Sequence, residues 1–225
     1  MATQFAYQLD RKPVAAAQVK FAEPRDNGVL GLAGSVQNFS QDREIYVEGA
    51  PVDTFYKVVS GVVRTCKFLS DGRRQIDAFY QAGDIFGIEG EALHSLSAEA
   101  VSDCTVISYR RRGADVAAAG GQIADQLFEH LMQRLARAQE HALLLGRRSA
   151  VEKVAAFLVD WADCSADHRS VSLAMTRQDI ADYLGLTIET VSRTLSHLER
   201  DSLIEMPTAR QIRLTDLEAL RDFNV

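Results

Sequence analysis

The apolar positions of this chain change their spacing from one region to the next. Between residues 44 and 109, short runs rich in Val, Ile, Phe and Tyr are separated by turns that contain glycine. Such runs are typical of strands. Strands are predicted at 45–47, 55–59, 62–69, 74–80, 85–88 and 99–109. Several short strands with regular glycine punctuation favour an antiparallel barrel or jelly roll.

The pattern becomes helical after residue 121. One apolar stripe of the predicted helix 122–145 recurs at alternating intervals of four and three, at Ala124, Phe128, Leu131, Leu135, Ala138, Ala142 and Leu145. That is the seam of a coiled coil and predicts a parallel homodimer. The alternative is an amphipathic helix packed on its own β domain. Leu127, Met132 and Leu143 flank the seam and could serve that packing.

The last third of the chain shows helix-start signals separated by short apolar runs. Ser149 with Glu152 forms a capping box for one helix, and Thr176 with Asp179 for the next. Gly185 follows, where a helix usually ends in a left-handed conformation. Residues 168–175 are predicted to be a strand, 203–206 and 211–214 a two-stranded wing, and Thr215 with Glu218 the cap of a last helix. Residues 176–199 therefore have the spacing of a helix-turn-helix.

The second helix of that pair has an apolar side and a polar side. Thr187 caps it, and Val191, Leu195 and Leu198 form its apolar stripe. The polar side contains Glu189, Ser192 and Arg193 on one face. A glutamate accepts from cytosine N4, and an arginine bonds guanine O6 and N7. The alternative is a solvated face with an incidental salt bridge.

Inside a helix-turn-helix, the reading of DNA bases is favoured. We expect base contacts from Glu189, Ser192 and Arg193. We expect contacts to the DNA backbone from the polar residues at the start of each helix and along the second one, namely Thr176, Arg177, Thr187, Thr190, Ser196 and His197. We call one helix-turn-helix domain with its reading helix a head. Two heads must reach successive major grooves about 34–36 Å apart, as the predicted dimer would allow.

Composition sets outer limits. The chain has 225 residues, 47% hydrophobic and 25% charged, with a net charge of −6. This argues against indiscriminate binding to nucleic acid but permits a local site. The sequence has no apolar run of membrane-spanning length and no signal-peptide pattern, so we expect a cytoplasmic protein without a membrane partner. Its three cysteines, Cys66, Cys104 and Cys164, are widely spaced and predict neither disulfides nor a metal site.

The order of these features resembles the CRP/FNR family of transcription regulators. The stretch TRQDIADYLGLTIETVSRTLSHLE is similar to the family's helix-turn-helix, and its E-x-x-S-R to the FNR-type reading motif. VVSGVVRTCKFLSDGRRQI is especially similar to the FixK branch. Gly49, Gly61, Gly72, Gly83 and Gly87 fall where the family's roll turns.

The resemblance covers roughly residues 40–222 and implies an α+β fold. Together with an N-terminal arm, which is indicated by its aperiodic mixture of Ala, Gln, Lys and Pro, the chain has four segments. Residues 1–27 are an N-terminal arm, and 28–112 an antiparallel, jelly-roll-like β-roll similar to cyclic-nucleotide-binding domains. Residues 113–147 are a connector with the dimerisation helix, and 148–225 a winged helix-turn-helix that binds DNA. The wing has Ser202 and Ala209 where the family usually has glycines, which puts its turn geometry in question.

The resemblance also implies partners and a role. These are double-stranded DNA with the palindrome TTGAT-N4-ATCAA, a second copy of the chain, and RNA polymerase. The expected role is the regulation, by activation, of microaerobic or anaerobic respiration or nitrogen-fixation genes.

No cofactor is expected. The arm has no cysteine, whereas iron–sulfur relatives carry a cysteine cluster there. The Glu89-Gly90-Glu91 turn is similar to that of cyclic AMP binders, but residues 92–96 offer no arginine for the phosphate, and a buried phosphate without a charge partner is costly. Haem would have to use His94, Cys66 or Cys104, and a lone loop histidine is usually just a loop residue.

The sequence leaves two further function classes to consider. The first is a sensor whose β-roll binds an unidentified small molecule that governs DNA binding. The second is an enzyme, for which the sequence has no G-x-S-x-G, H-E-x-x-H or Walker A pattern, and GDIFGIEG lies between predicted strands. We expect a regulator and not an enzyme.

Overall fold

The computed structural model describes residues 34–111, 121–147, 149–165 and 167–223. The predicted arm, 1–27, lies outside these residues, as do residues 28–33 of the β-roll segment and residues 112–120 before the dimerisation helix. Eight strands form the N-terminal domain: β1 Ser35–Phe39, β2 Glu44–Tyr46, β3 Thr54–Ser60, β4 Val63–Phe68, β5 Arg74–Tyr80, β6 Ile85–Phe86, β7 Ser97–Ala100 and β8 Cys104–Arg110.

These strands build two antiparallel four-stranded sheets. Their orders are β1-β8-β3-β6 and β2-β7-β4-β5. One core fills the space between them, with Val58 and Val106 from the first sheet meeting Val63 and Ala98 from the second. The predicted β-roll is confirmed.

Two details of the β-roll differ from the prediction. The strand expected at 99–109 is divided into β7 and β8 by a turn at 101–103, because side chains there satisfy neighbouring backbone groups. Ser102 Oγ accepts from Val62 N at 3.1 Å, and Asp103 Oδ1 accepts from Gln41 N at 2.9 Å. Strand β1 was not predicted; four of its five residues are exposed, so its sequence lacks a strong apolar alternation.

The turn glycines of the β-roll have a backbone conformation that side chains of L-residues disfavour. All five of the glycines predicted to turn the roll have positive φ. At Gly61 (φ 82°), an added Cβ would lie 2.3 Å from the carbonyl oxygen of Asp103. A side chain there would force β3 and the β7–β8 turn apart.

One long helix connects the two domains. Helix α1, Gly121–Arg147, has 27 residues. On its roll-facing side, Leu127 packs with Phe55, Ile85 and Tyr109. Arg134 Nη1 donates to the carbonyl oxygen of Ile88 at 3.3 Å. Near its C-terminal end, Leu144 is buried in the core of the second domain.

The C-terminal domain is a winged helix. Its elements are α2 Ala150–Asp163, β9 Ser170–Ser172, α3 Arg177–Leu184, α4 Ile188–Arg200, β10 Ile204–Thr208, β11 Gln211–Leu214 and α5 Leu217–Asp222. The strands pair in the order β10-β11-β9. Leu158, Ile180, Leu195 and Ile212 lie in one core. Among the described residues, no helix has the length and apolarity that crossing a membrane would require.

Three local predictions in this domain need correction. The strand expected at 168–175 covers only Ser170–Ser172. Pro207 lies inside β10 rather than in the turn, at a register shift where its missing N–H does no harm. The last helix is capped by Asp216, which accepts from Ala219 N at 3.0 Å, because Thr215 Oγ1 donates to the Ser202 carbonyl at 2.6 Å.

Ser202 stands where the family usually has glycine, and it adopts a conformation that glycine favours. Its φ of 60° is in the left-handed region, which L-residues seldom adopt. The wing therefore forms without the usual glycine.

Candidate DNA-binding site

Capping interactions fix both ends of α3 and the start of α4 in the helix-turn-helix. Thr176 and Asp179 form the reciprocal capping box that the sequence predicts for α3, with Asp179 N donating to Thr176 Oγ1 at 3.1 Å. Gly185 ends α3 in the left-handed conformation at φ 63°. Thr187 then caps α4 by accepting from Thr190 N at 3.2 Å. The capping box therefore fixes the start of α3, and Gly185 together with the Thr187 cap sets the turn between α3 and α4.

Helix α4 is anchored on one side and open on the other. Val191, Thr194, Leu195 and Leu198 are buried against the domain core. On the other side, Glu189, Arg193, Ser196 and His197 are exposed, whereas Thr190 and Ser192 are half-buried. The predicted reading residues thus share one accessible face.

The charges on this face are suited to base recognition. The pKa of Glu189 lies below its ordinary value because of a backbone amide at the start of α4 and the Thr187 hydroxyl, with Arg193 acting in the same direction. Glu189 is therefore an ionised acceptor at neutral pH. His197 Nδ1 lies 3.2 Å from Asp201 one turn later, beyond the reading residues.

Several residues predicted to contact the DNA backbone already have partners within the chain. The Thr176 hydroxyl donates to Asp179 Oδ2 at 2.8 Å. The Thr187 and Thr190 hydroxyls are 3.0 Å apart. Arg177 Nη2 lies 3.8 Å from the Met206 sulfur, so Arg177 lies against the wing. A phosphate would have to share or displace these contacts.

Arg210, which was not among the predicted DNA contacts, is exposed in the turn between β10 and β11. The sequence does contain a signal for this candidate, because it places an arginine between the two predicted wing strands. Its position at the tip of the wing suits a phosphate contact.

The predicted dimer seam is exposed in the single chain. Phe128, Leu131 and Leu135 have exposed fractions of 63%, 40% and 50%. Ala138 and Ala142 are also exposed. Leu145 is half-buried and lies beside the α3–α4 turn, since a Cβ added to Gly185 would be 3.4 Å from its Cδ2. The side chain of Ala124 lies outside the described part of the chain.

Two of the residues considered for packing against the roll do not pack there. Met132 and Leu143 are exposed by 48% and 63%. Only Leu127 of the three has the predicted contact.

The Glu89-Gly90-Glu91 turn of the roll is bonded to the chain's own groups. Glu89 Oε2 accepts from Ser95 N at 2.7 Å and from Ser95 Oγ at 2.6 Å. Its Oε1 lies 2.8 Å from His94 Nδ1. The His94 ring stacks on Tyr46 with centroids 3.7 Å apart, and His94 is buried.

The three cysteines are free thiols. Cys66 and Cys104 are buried, and Cys164 is exposed at the end of α2. Desolvation raises the pKa of Cys66 to about 11 and raises the pKa of the other two thiols. Among the residues that the structure describes, no three histidines, cysteines or carboxylates come together to hold a metal ion.

A β-roll joined by a long helix to a winged helix, whose second helix-turn-helix element has an exposed polar face, defines the class of DNA-binding regulators. Family comparison agrees with both halves. Residues 36–115 match the cyclic nucleotide-binding domain, and residues 152–223 match the Crp-like helix-turn-helix domain.

Known relatives make the assignment more particular. The chain is 47% identical to the nitrogen fixation regulation protein FixK of Azorhizobium caulinodans over 200 residues, 86% of this chain and 80% of the relative. It is 44% identical to the transcriptional activatory protein AadR of Rhodopseudomonas palustris over 187 residues, 80% of this chain and 78% of that protein. The structure of FixK2 from Bradyrhizobium japonicum superposes with a TM-score of 0.80 at 42% identity, covering 85% of this chain and 98% of that one.

The chain therefore belongs to the CRP/FNR family of transcription regulators, within its FixK branch. As a member of that family it is a regulator and not an enzyme.

Proposed function

We propose that this protein is a homodimeric, sequence-specific activator that reads a palindrome of the form TTGAT-N4-ATCAA. The observation that carries the proposal is the face of α4, where Glu189, Ser192 and Arg193 lie together on a helix whose other side is buried. The genes proposed as targets are those of microaerobic or anaerobic respiration or of nitrogen fixation. Relatives whose names describe nitrogen fixation regulation and activation support this role.

Each reading residue has a proposed part. Arg193 donates two hydrogen bonds to guanine, ionised Glu189 accepts from cytosine N4, and Ser192 bonds a base at close approach. Backbone contacts come from Thr176, Arg177, Thr187, Thr190, Ser196 and His197, together with Arg210 on the wing. Contacts to phosphate set the register of the head, and contacts to bases set its specificity.

The dimer is proposed to form along α1. Its exposed seam contains Phe128, Leu131, Leu135, Ala138 and Ala142, with Leu145 at the end nearest the winged helix. Large apolar side chains exposed in a row at heptad spacing are what a second copy would cover. Pairing of identical seams gives the two-fold symmetry that a palindromic operator requires. RNA polymerase is the proposed further partner, and the cytoplasm, where bacterial DNA is transcribed, the proposed location.

Cyclic AMP is not proposed as an effector. Glu89 already takes the backbone and hydroxyl donors of Ser95, which would otherwise be available to an anion. A cyclic phosphate at this place would meet the Glu89 carboxylate, with no arginine between residues 89 and 96 to balance it. The nearby Arg111 donates instead to the Glu89 carbonyl oxygen at 2.6 Å.

A second candidate, a regulator that responds to another small molecule, is supported by one cavity. A space of about 160 Å³ lies between β5, α1 and α3, lined in part by Tyr80, His130, Arg134, Arg137 and Tyr183. Pockets for drug-sized ligands have about 300–1,000 Å³. Only a ligand of a few heavy atoms would fit without movement of α1.

A gel-shift titration with pure protein and no added small molecule tests the proposal. We expect a shift of the palindrome at concentrations at least tenfold below those needed for a scrambled duplex of the same length. Equal binding to both duplexes would contradict sequence-specific recognition. Binding to the palindrome only after addition of a small molecule would favour the second candidate.

A further inference from the structure

Two arginines of the β-roll reach the first helix of the helix-turn-helix. Arg64, on β4, places Nη1 3.1 Å from Asp179 Oδ1, and its Nε and Nη2 lie 2.8 and 2.7 Å from Glu99 Oε2. Arg74, on β5, also contacts Asp179 through Nη2, and its Nε donates to Asp182 Oδ2 at 2.9 Å. We name Arg64, Arg74, Glu99, Asp179 and Asp182 the interdomain cluster.

The interdomain cluster is largely shielded from water. The side chains of Arg64 and Asp179 are 8% and 3% exposed, and that of Arg74 is 17% exposed. Two positive charges face three carboxylates of the cluster, so neither arginine is in surplus. Removing one partner of such a buried pair leaves a desolvated charge behind, which is much more costly than breaking a surface ion pair.

Asp179 has two tasks at the same time. Its Oδ2 accepts from Thr176 N at 2.9 Å in the capping box, while its Oδ1 receives both arginines. The start of α3 is therefore tied to the β-roll by the residue that also defines its cap.

The C-terminal end of α3 is held by a second set of contacts. The carbonyl oxygen of Tyr183 accepts hydrogen bonds from Gln75 Nε2 and His141 Nε2. The carbonyl oxygen of Leu184 accepts one from Lys153 Nζ. His141 belongs to the proposed dimer helix, and its ring stacks on Tyr183 with centroids 4.0 Å apart.

An aromatic contact joins the same two domains. Phe79 of β5 packs edge-on against Trp161 of α2 at a centroid distance of 5.8 Å, and also contacts Phe157 and Tyr183. Helix α3 is thus fixed along its length, and none of these contacts uses the exposed reading face of α4. The docked winged helix presents that face outward.

We propose that Arg64 and Arg74 are positioning residues for DNA recognition, which hold α3, and through it the reading helix α4, in one orientation relative to the β-roll and the dimer helix. The inference rests on the proposed function, since it concerns how two heads of a dimer reach two half-sites. A head fixed in advance binds its second half-site at a higher effective concentration than a head that samples many orientations. The cluster therefore contributes to palindrome affinity without touching DNA.

The test compares full-length Arg74→Gln and Arg64→Gln with Arg73→Gln. Arg73 is a matched control because its side chain is 78% exposed and pairs with Asp71 in the same hairpin. Binding is measured for the palindrome and for a duplex with a single half-site. We expect the two cluster variants to bind the palindrome about tenfold more weakly or worse, with half-site binding changed less than about twofold.

A second readout does not involve DNA. Trp161 is the only tryptophan of the chain, and its edge contact with Phe79 reports docking. In the cluster variants we expect red-shifted Trp161 emission and stronger acrylamide quenching, while sedimentation still shows a dimer. Arg73→Gln should leave both properties unchanged.

Several results would overturn the inference. The first is that both cluster variants have the same palindrome affinity and the same Trp161 emission as the control Arg73→Gln. Another is a folded variant in which palindrome and half-site binding fall together, which would place the effect inside the head. A gain in palindrome affinity would mean that the cluster restrains binding rather than prepares it.

Further variants and the Trp161 emission decide the matter where Arg74→Gln does not fold or the palindrome is not recognised. If Arg74→Gln does not fold, two milder variants replace it: Arg74→Lys keeps the charge, and Asp182→Asn removes only the outer partner of Arg74. In each we expect a smaller loss of palindrome affinity and a smaller red shift of Trp161 emission. Unchanged affinity and emission in both would overturn the inference. If the unaltered protein does not discriminate the palindrome, the proposed function fails, whereas the Trp161 measurement still decides whether the cluster holds the domains together.

Discussion

The substitution Leu135→Glu addresses the proposed dimer most sharply. Leu135 lies in the middle of the α1 seam and is 50% exposed in the single chain. A glutamate there remains in contact with water before association, so the fold of the monomer should be preserved. In a parallel pair, the two copies of residue 135 face each other at the same level of the seam.

The magnitude follows from that geometry. Two carboxylates about 4 Å apart repel by about 4 kcal/mol at an effective dielectric constant near 20. Each lost leucine gives up about 1 kcal/mol, since half of its side chain is already covered and full burial is worth about 1.5–3 kcal/mol. The sum of about 6 kcal/mol corresponds to a dimer dissociation constant about 10⁴-fold higher.

The effect on DNA binding follows from losing the second head. A palindrome bound at about 10⁻⁸ M corresponds to about −11 kcal/mol. If the heads contribute equally, one head supplies about half of this, or a dissociation constant of about 10⁻⁴ M. Sedimentation equilibrium and fluorescence anisotropy of the one variant measure both quantities.

Leu143→Glu is the matched control for this experiment. It makes the same chemical change on the same helix, at a side chain 63% exposed and about 80° around the axis from Leu135. We expect Leu143→Glu to remain a dimer that binds the palindrome normally. If Leu135→Glu also remains a tight dimer with unchanged palindrome binding, the heptad seam is not the interface.

Three further predictions concern the reading head, its chemistry and its turn. Arg193→Ala should weaken palindrome binding by about 1–3 kcal/mol per half-site and relax discrimination at guanine. The control Arg200→Ala, at the end of α4, should preserve that discrimination. If anisotropy titrations show an equal loss of affinity on all sequences, Arg193 is a phosphate contact. DNA binding should persist in air and with chelators, and the raised pKa of Cys66 and Cys104 should limit the effect of thiol reagents; oxygen-labile binding with cluster absorbance would contradict this. Gly185→Ala should lower the free energy of unfolding in urea by about 1–2 kcal/mol, because φ is 63° there, and unchanged stability would show that the turn relaxes.

Local signals in the sequence were sufficient for most of the fold. Capping boxes at Ser149 and Thr176 predicted two helix starts, and both are present with reciprocal bonds. Gly185 predicted a left-handed helix end, and the roll glycines predicted turns; neither prediction requires knowledge of distant contacts. The apolar stripe of α4 predicted its buried side because a period of 3.6 residues defines a face.

Features that depend on distant partners were not accessible in this way. Asp179 was assigned only as a cap, whereas its second carboxylate oxygen meets arginines more than 100 positions earlier in the chain. Leu145 fits the heptad pattern but lies beside Gly185, because the helix pattern does not indicate where the next domain folds back. The end of α1 therefore serves its own winged helix as well as the proposed seam.

The central claim is that two heads of one dimer read two half-sites at a fixed spacing, and one titration tests it without any mutation. Pure protein is titrated, at one salt concentration, with TTGAT-N4-ATCAA and with the same half-sites separated by five base pairs. The extra pair moves one half-site by about 3.4 Å and turns it by about 35° around the duplex. The dimer should then bind the five-pair duplex no better than a duplex with a single half-site, and equal affinity for the two spacings would contradict the account.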